Sequence, residues 1–306
     1  MKFINLKTRT EENAILFPSV LCVGNFDGVH IGHRQLVEEV RKQVPALKKA
    51  YPNIVSGAWF FDSTSYKHAP EIYTLDEKLD AFESLGLDYA VIADFDEMKY
   101  MSPEEFVAQI LRKECQCVFA VCGENFRFGS KAAGSASDLA RLMQGNADIV
   151  TLLTDEEKIV SSTYIRELLS NGDIENANRL LDSRYSLTAP IVHGKALGRT
   201  LGLPTINQFS EDKNLILKSG IYCTVCTIDG QKFYGVTNIG IRPTVNDSEK
   251  KNIETHIIDY SGDCYGKLVK VEFVSRLRDE IKFTSLDELK SQILSDINNT
   301  KKYFKI

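Results

Sequence analysis

Gly24-Asn25-Phe26-Asp27-Gly28-Val29-His30-Ile31-Gly32-His33 is the stretch on which the reading of this chain turns. It closes a short apolar run, Ser19 to Gly24, passes three glycines and enters Gly32 to Ala50, where Leu36, Val37, Val40 and Val44 fall at helical spacing. A buried strand that delivers a glycine turn to a helix N-terminus gathers backbone amides and the positive end of the helix dipole at one mouth, which suits a phosphate. Glycine also lets that backbone approach a ligand closely. His30 and His33 add side-chain donors beside it, able to stabilise charge developing on a phosphoryl group. A His-x-Gly-His pair could instead ligate a metal with residues from elsewhere. The stretch has neither the lysine of a P-loop nor the spacing of a dinucleotide fingerprint. Strand, glycines, paired histidines and helix in this order point to nucleotidyl transfer.

Around this stretch, residues up to about 180 alternate strand-like and helix-like segments. Ile54 to Phe61, Tyr89 to Ala93 and the uninterrupted apolar run Cys117 to Cys122 read as strands, and another helix and strand end near Leu153. Thr74 to Leu85 is amphipathic and stops at Gly86, and a further helix opens at Ser102 with Pro103 at its first position. Repeated β-α-β units predict a doubly wound parallel sheet. After Arg184 the texture changes. Tyr185 to Val192, Ile221 to Ile228, Lys232 to Thr237, Ile253 to Ile258 and Lys267 to Val274 are short, β-branched and alternating, and Asp229-Gly230 is a hairpin turn. Ser285 and Glu288 form a capping box that opens a helix to about Asn299. The expected fold is α/β plus all-β: an α/β domain over 1–184, then an antiparallel barrel closed by a terminal helix over 185–306.

Composition bounds the function. The 306 residues suggest two domains at about 150 residues each. The 37 basic and 42 acidic residues leave a net charge of −5 with no run of five like charges, which speaks against a nucleic-acid groove or an anionic-membrane surface. Small anions need only local donors. The apolar stretch Ala14 to Phe17 is too short for a signal peptide, and no stretch is long enough to span a membrane, so a cytoplasmic location is expected. Seven scattered cysteines read as buried thiols. Cys223 and Cys226 formally make a C-x-x-C but sit on a strand, where residues three apart face opposite ways.

The ten-residue stretch resembles the Gly-x-Phe-Asp-Gly-x-His-x-Gly-His of the nucleotidyltransferase superfamily, and more narrowly the N-terminal module of bacterial bifunctional riboflavin kinase/FAD synthetases. Gly123-Glu124-Asn125-Phe126-Arg127-Phe128-Gly129 resembles that family's loop near the nucleotide. Ser161-Ser162-Thr163-Tyr164-Ile165-Arg166 is similar to its Ser-Ser-Thr-x-Ile-Arg signature. Hydroxyls at a helix start with an arginine one turn on can hold a polyphosphate, though alone they are a capped helix. The chain departs from the family at Asp62-Ser63-Thr64-Ser65, where Pro-His-Pro is usual and His68 lies out of register, and at Tyr164, where arginine is common.

A second constellation runs from Gly194 to Asn207. A glycine loop with Lys195, Gly198 and Arg199 can wrap phosphates, and Pro204 stiffens the approach to Thr205 and Asn207, whose oxygens suit Mg²⁺. Unaided, the segment also reads as a plain turn. It resembles the Gly-Arg-x-Leu-Gly-x-Pro-Thr-x-Asn motif of riboflavin kinases, and Asn238 to Thr244, Glu254-Thr255-His256 and Tyr265-Gly266-Lys267 resemble family segments in the same order. The resemblance implies that Thr205 and Asn207 contact Mg²⁺ and ATP, that Glu272 is the general base for the riboflavin 5′-hydroxyl, and that Arg278 contacts flavin. It further implies phosphorylation of riboflavin to FMN in the C-terminal half. In the N-terminal half, FMN is adenylylated to FAD, with Gly24, Asn25, Phe26, Asp27, Gly28, Asn125, Ser162, Thr163 and Arg166 around ATP. The alternatives are a kinase with a weakened adenylyltransferase site and a non-catalytic flavin-binding regulator.

Overall fold

Ser19–Val23 is buried at all five positions, so it must be covered on both faces and lie inside its sheet rather than at an edge. The computed structural model describes residues 1–8, 17–62, 70–194, 197–209, 216–242 and 250–306. The chain divides into two compact units, Met1–Ser162 and Thr163–Ile306.

The first unit carries β1 (Lys2–Asn5), β2 (Ser19–Val23), α1 (Ile31–Leu47), β3 (Val55–Phe61), α2 (Leu75–Ser84), β4 (Tyr89–Ala93) and α3 (Phe95–Met98). Next comes α4 (Pro103–Glu105), which widens into a π-helix over Phe106–Glu114. β5 (Cys117–Gly123), the small hairpin β6 (Arg127–Phe128) with β7 (Gly134–Ser135), α5 (Ala136–Leu142), β8 (Ala147–Val150) and the hairpin β9 (Thr154–Asp155) with β10 (Lys158–Ile159) complete it. The main sheet is parallel throughout, in the order β1-β4-β3-β2-β5-β8. Full capping boxes start α2 at Thr74/Glu77 and α4 at Ser102/Glu105, as Ser/Thr-x-x-Glu dictates. From β2 the chain winds outward through β3 and β4, then crosses back to β5 on β2's other side. Ligands of such sheets bind at that reversal, beyond the strands' carboxyl ends. The loops after β2 and β5, Gly24 onward and Glu124 onward, meet there.

The second unit begins with α6 (Ser162–Asn171, its first residue the last of the first unit) and α7 (Ile174–Leu181). Both were expected in the first domain. The division into units places all but Ser162 in the second, and both helices bond with residues further along the chain. Asn178 donates from Nδ2 to the Phe273 carbonyl and accepts the Tyr185 amide on Oδ1, and Leu169 O accepts the Lys218 amide. Then come β11 (Ser186–Pro190), α8 (Leu197–Thr200), β12 (Ile206–Phe209), β13 (Gly220–Ile228), β14 (Gln231–Arg242), β15 (Lys250–Ile257), β16 (Leu268–Arg278) and α9 (Leu286–Phe304). The sheet is antiparallel, ordered β11-β16-β13-β14-β15-β12. Asp229 and Gly230 both have left-handed φ, 48° and 79°, the turn that matches hairpin twist. The capping box expected at Ser285 is half realised. Ser285 Oγ accepts the Glu288 amide, but the Glu288 carboxylate accepts from Thr284 instead.

The outer strands β11 and β12 nearly meet. A bridge joins Val192 to Asn207, and the fully buried Gln208 amide donates to both Ala189 O and Val269 O at 2.8 Å. One side chain thus supplies the hydrogen bonds that a closing strand pair would make. Cys223 and Cys226 lie on β13, and all seven cysteines are buried free thiols. Replacing Gln208 by alanine strands two buried carbonyls and is expected to destabilise this unit by about 2 kcal/mol or more, measured by urea unfolding; an unchanged midpoint refutes the role of the seam.

Candidate functional site

The turn after β2 is fixed by its own neighbours. Gly24 N donates to Trp59 O on β3, and the Phe26 ring is fully buried against His33 and Phe82, centroids at 5.1 and 5.2 Å. Asp27, 1% exposed, accepts the amides of Ile72 at 2.9 Å and Tyr73 at 3.4 Å. Ser162 Oγ donates to Asp27 O at 2.9 Å. The side chains of Phe26, Asp27 and Ser162 therefore brace the loop from behind, while Asn25 is exposed at its tip. Across the switch point Asn125 is also exposed, on a turn closed by Phe126 N to Gly123 O at 2.9 Å. Thr163 and Arg166 lie on α6, at the start of the second unit. Ser63 to Ser65 and His68 lie outside the described residues.

His30 is the N-cap of α1, its Nδ1 accepting the His33 amide at 3.4 Å. That assignment leaves the proton of the neutral ring on Nε2. The two imidazoles stack at 3.6 Å and 19°. Burial pushes His30 down to about 4, against the opposing pull of the Asp27 carboxylate, so at neutral pH it is an uncharged donor. Stability inherits a sign from this: the unfolded chain binds the proton from about pH 6.5 downward and the folded chain only near 4, so stability falls across that window. His30→Gln is expected to flatten the loss, and the only tryptophan, Trp59, reports it by fluorescence in urea at about pH 7 and about pH 4.5. An identical pH slope in both proteins contradicts the buried neutral state.

In the second unit, two cavities share one wall. A cavity of about 170 Å³ is lined by apolar side chains such as Leu203, Ile221, Val236 and Phe283, together with Thr205, Asn238, Glu254 and Arg278. A second, of about 480 Å³, is lined by Pro204, Thr205, Ile206, Tyr260 and Tyr265 among others. Thr205 belongs to both. On the adjoining strands Asn207 of β12 and Asn238 of β14 are the cross-strand partners of Glu254 on β15. Asn252 Nδ2 holds Glu254 Oε1 at 2.7 Å. His256 Nδ1 contacts Pro204 O at 2.9 Å, and His193 stacks on Tyr265 at 4.1 Å.

The glycine loop closes on these residues. A side chain at Gly194 would collide with the Asn207 carboxamide, and one at Gly198 with Leu203 O, whose amide returns to Gly198 O at 2.8 Å. Lys195 lies outside the described residues, and only the backbone of Arg199 is described, in α8. Asn207 Oδ1 is buried with no hydrogen-bond partner among the described residues, and Thr205 lies two residues before it in the chain. Two neutral hard oxygens, one unsatisfied, fit a magnesium ion arriving with its polyphosphate.

Glu272 is placed differently from the expectation. It alternates away from buried Val271 and Phe273, is 14% exposed, and its nearest cation is Arg184 at 3.9 Å. The wall of neither cavity includes it. The carboxylate brought to the cavity is Glu254. Only the pairing of β15 with β12 and β14 reveals this, since both glutamates look alike as alternating strand residues. Arg278 does line the smaller cavity, with Nε and Nη2 forked on Asp296 of α9 at 3.0 and 2.6 Å.

A family model of riboflavin kinase matches residues 181–304, and one of FAD synthetase matches residues 13–164. A bifunctional riboflavin kinase/FMN adenylyltransferase of Haemophilus influenzae is 34% identical over 305 residues, covering 95% of this chain and 96% of that one. One from Bacillus subtilis is 32% identical over 298 residues, covering 94% and 92%. A crystal structure described as a macrolide-efflux protein from Streptococcus pneumoniae superposes with a TM-score of 0.89 at 27% identity, over 98% of this chain and 99% of that one. Among the described residues no helix is long and apolar enough to cross a membrane. With both catalytic halves matched in order and relatives aligned along nearly its full length, the chain belongs to the bifunctional riboflavin kinase/FMN adenylyltransferase family.

Proposed function

We propose that the riboflavin kinase reaction runs on the row Asn207–Glu254–Asn238, with riboflavin in the smaller cavity and ATP in the larger. The observation that carries this reading is the position of Thr205, on the wall that the two cavities share, with Gly198 of the glycine loop on the rim of the smaller one. The apolar walls suit a flavin ring, and Arg278 stands at its polar edge. The glycine backbone at Gly194 and Gly198, with Lys195 and Arg199, cradles the phosphates, while Pro204 sets the approach of Thr205. Mg²⁺, when bound, neutralises charge on the polyphosphate, and Thr205 and Asn207 are the residues that would hold it. Glu254, rather than Glu272, takes the proton as the riboflavin 5′-oxygen attacks the γ-phosphorus and ADP leaves. Asn252 Nδ2 donates to one oxygen of that carboxylate and so helps fix it in place.

In the N-terminal half, the FMN phosphate attacks the α-phosphorus of a second ATP and pyrophosphate leaves. The loop Gly24 to Gly28 and the N-terminus of α1 hold phosphate oxygens, with Asn125 beside the nucleotide. His30, neutral and protonated on Nε2, and His33 donate to the α-phosphate as its charge builds. Seven free thiols fit a reducing cytoplasm.

Glu254→Gln is expected to lower riboflavin phosphorylation about a hundredfold or more, with Glu272→Gln near wild type and FAD formation from supplied FMN intact in both. The reverse ranking returns the base to Glu272. Gly194→Ala, by displacing Asn207, is expected to abolish most of the kinase activity alone. His33→Ala is expected to do the opposite, sparing FMN formation. Loss of both activities in any of these variants contradicts the division of labour.

A further inference from the structure

We propose that Lys78 is a positioning residue for adenylyl transfer: a buried ammonium, only loosely paired with Glu71, that steadies the Asn25 carbonyl and lends positive charge to the polyphosphate on the loop. The inference rests on the reading of Gly24 to Gly28 as the nucleotide loop. Lys78 sits on α2 with its side chain 2% exposed. Among the described residues its Nζ meets Asn25 O at 3.4 Å, Glu71 Oε1 at 3.7 Å and the Phe60 ring, centroid at 4.8 Å. Charge-assisted hydrogen bonds are ordinarily about 2.7–2.9 Å, so both polar contacts are loose. A buried ammonium held this loosely is poorly compensated for the water it has lost. For stability alone a methionine would fill the same space at less cost, so the charge calls for a partner that arrives with the ligand.

The turn in front of Lys78 needs holding. Phe26, Gly28 and Val29 have φ of 52°, 80° and 38°, and two of these three are not glycine. The short stretch from Glu71 to Lys78 grips it at two points: Asp27 takes the Ile72 and Tyr73 amides, and Lys78 takes the Asn25 carbonyl. The peptide whose oxygen meets the ammonium carries the Phe26 N–H at its other end. A cation at that oxygen polarises the unit and strengthens its N–H as a donor to an anion. Asp27 brings negative charge to the turn and His30 is neutral, while a second cation, Arg34, donates from Nε to the Val29 carbonyl at 3.3 Å. Lys78 supplies positive charge from behind, taking the place that a P-loop gives to its own lysine without touching the phosphates.

The test uses the full-length enzyme, whose kinase half is an internal control. Lys78→Met, Lys78→Gln and His33→Ala are assayed for KM of ATP and kcat in FMN adenylylation, for riboflavin phosphorylation, and for the unfolding temperature read from Trp59. Lys78→Met is expected to raise the KM for ATP about tenfold or more while the unfolding temperature holds or rises and the kinase is unchanged. Lys78→Gln, which can still donate to Asn25 O, is expected to recover little. A wild-type KM in Lys78→Met overturns the proposal, as does full recovery in Lys78→Gln or a fall in stability that tracks the loss of activity. If His33→Ala also adenylylates normally, the reading of the loop itself fails, and the proposal falls with it.

Discussion

The carboxylate of Asp27 is the contact on which the N-terminal site depends. The turn is shaped partly from within, where Val29 N donates to Phe26 O at 3.2 Å, and partly from outside. Asp27 accepts two amides of the segment before α2, while its own carbonyl accepts the Ser162 hydroxyl. Loop, segment and hydroxyl are thereby tied together. The Asp27 carboxylate is spent on protein amides, so what it contributes to the loop is its shape.

The C-terminal unit meets the same demand by different means. Its glycine loop has glycine at two positions because neighbouring groups already occupy the space where side chains would go: the Asn207 carboxamide at Gly194 and the Leu203 carbonyl at Gly198. At Gly202, φ of 76° gives a second reason. The barrel wall then lines up Asn207, Glu254 and Asn238 across three strands, so that groups far apart in sequence stand one strand spacing from each other. One half has a backbone turn with the buried Lys78 behind it. The other presents side-chain oxygens and a carboxylate on neighbouring strands.

Much of this was legible in the chain. The strands at Ser19, Tyr89 and Cys117, the caps at Thr74 and Ser102 and the Asp229-Gly230 turn all arise from local chemistry that tertiary packing does not override. What was hidden depended on pairing. Glu254 and Glu272 each alternate with apolar neighbours, and only the register of β15 against β12 and β14 separates them. β12 is four residues long and Gln208 carries no periodic signal, so the seam it closes could not be read. α6 and α7 look like a continuation of the α/β pattern, yet α7 bonds to β16 through Asn178 and Leu169 of α6 accepts the amide of Lys218 before β13. The burial of Lys78 against Phe60 is a property of the fold and leaves no mark on the sequence.

Thr205 forms part of the lining of both barrel cavities. Any substitution there reshapes the two compartments together, so a variant at this one position reports on both and isolates neither.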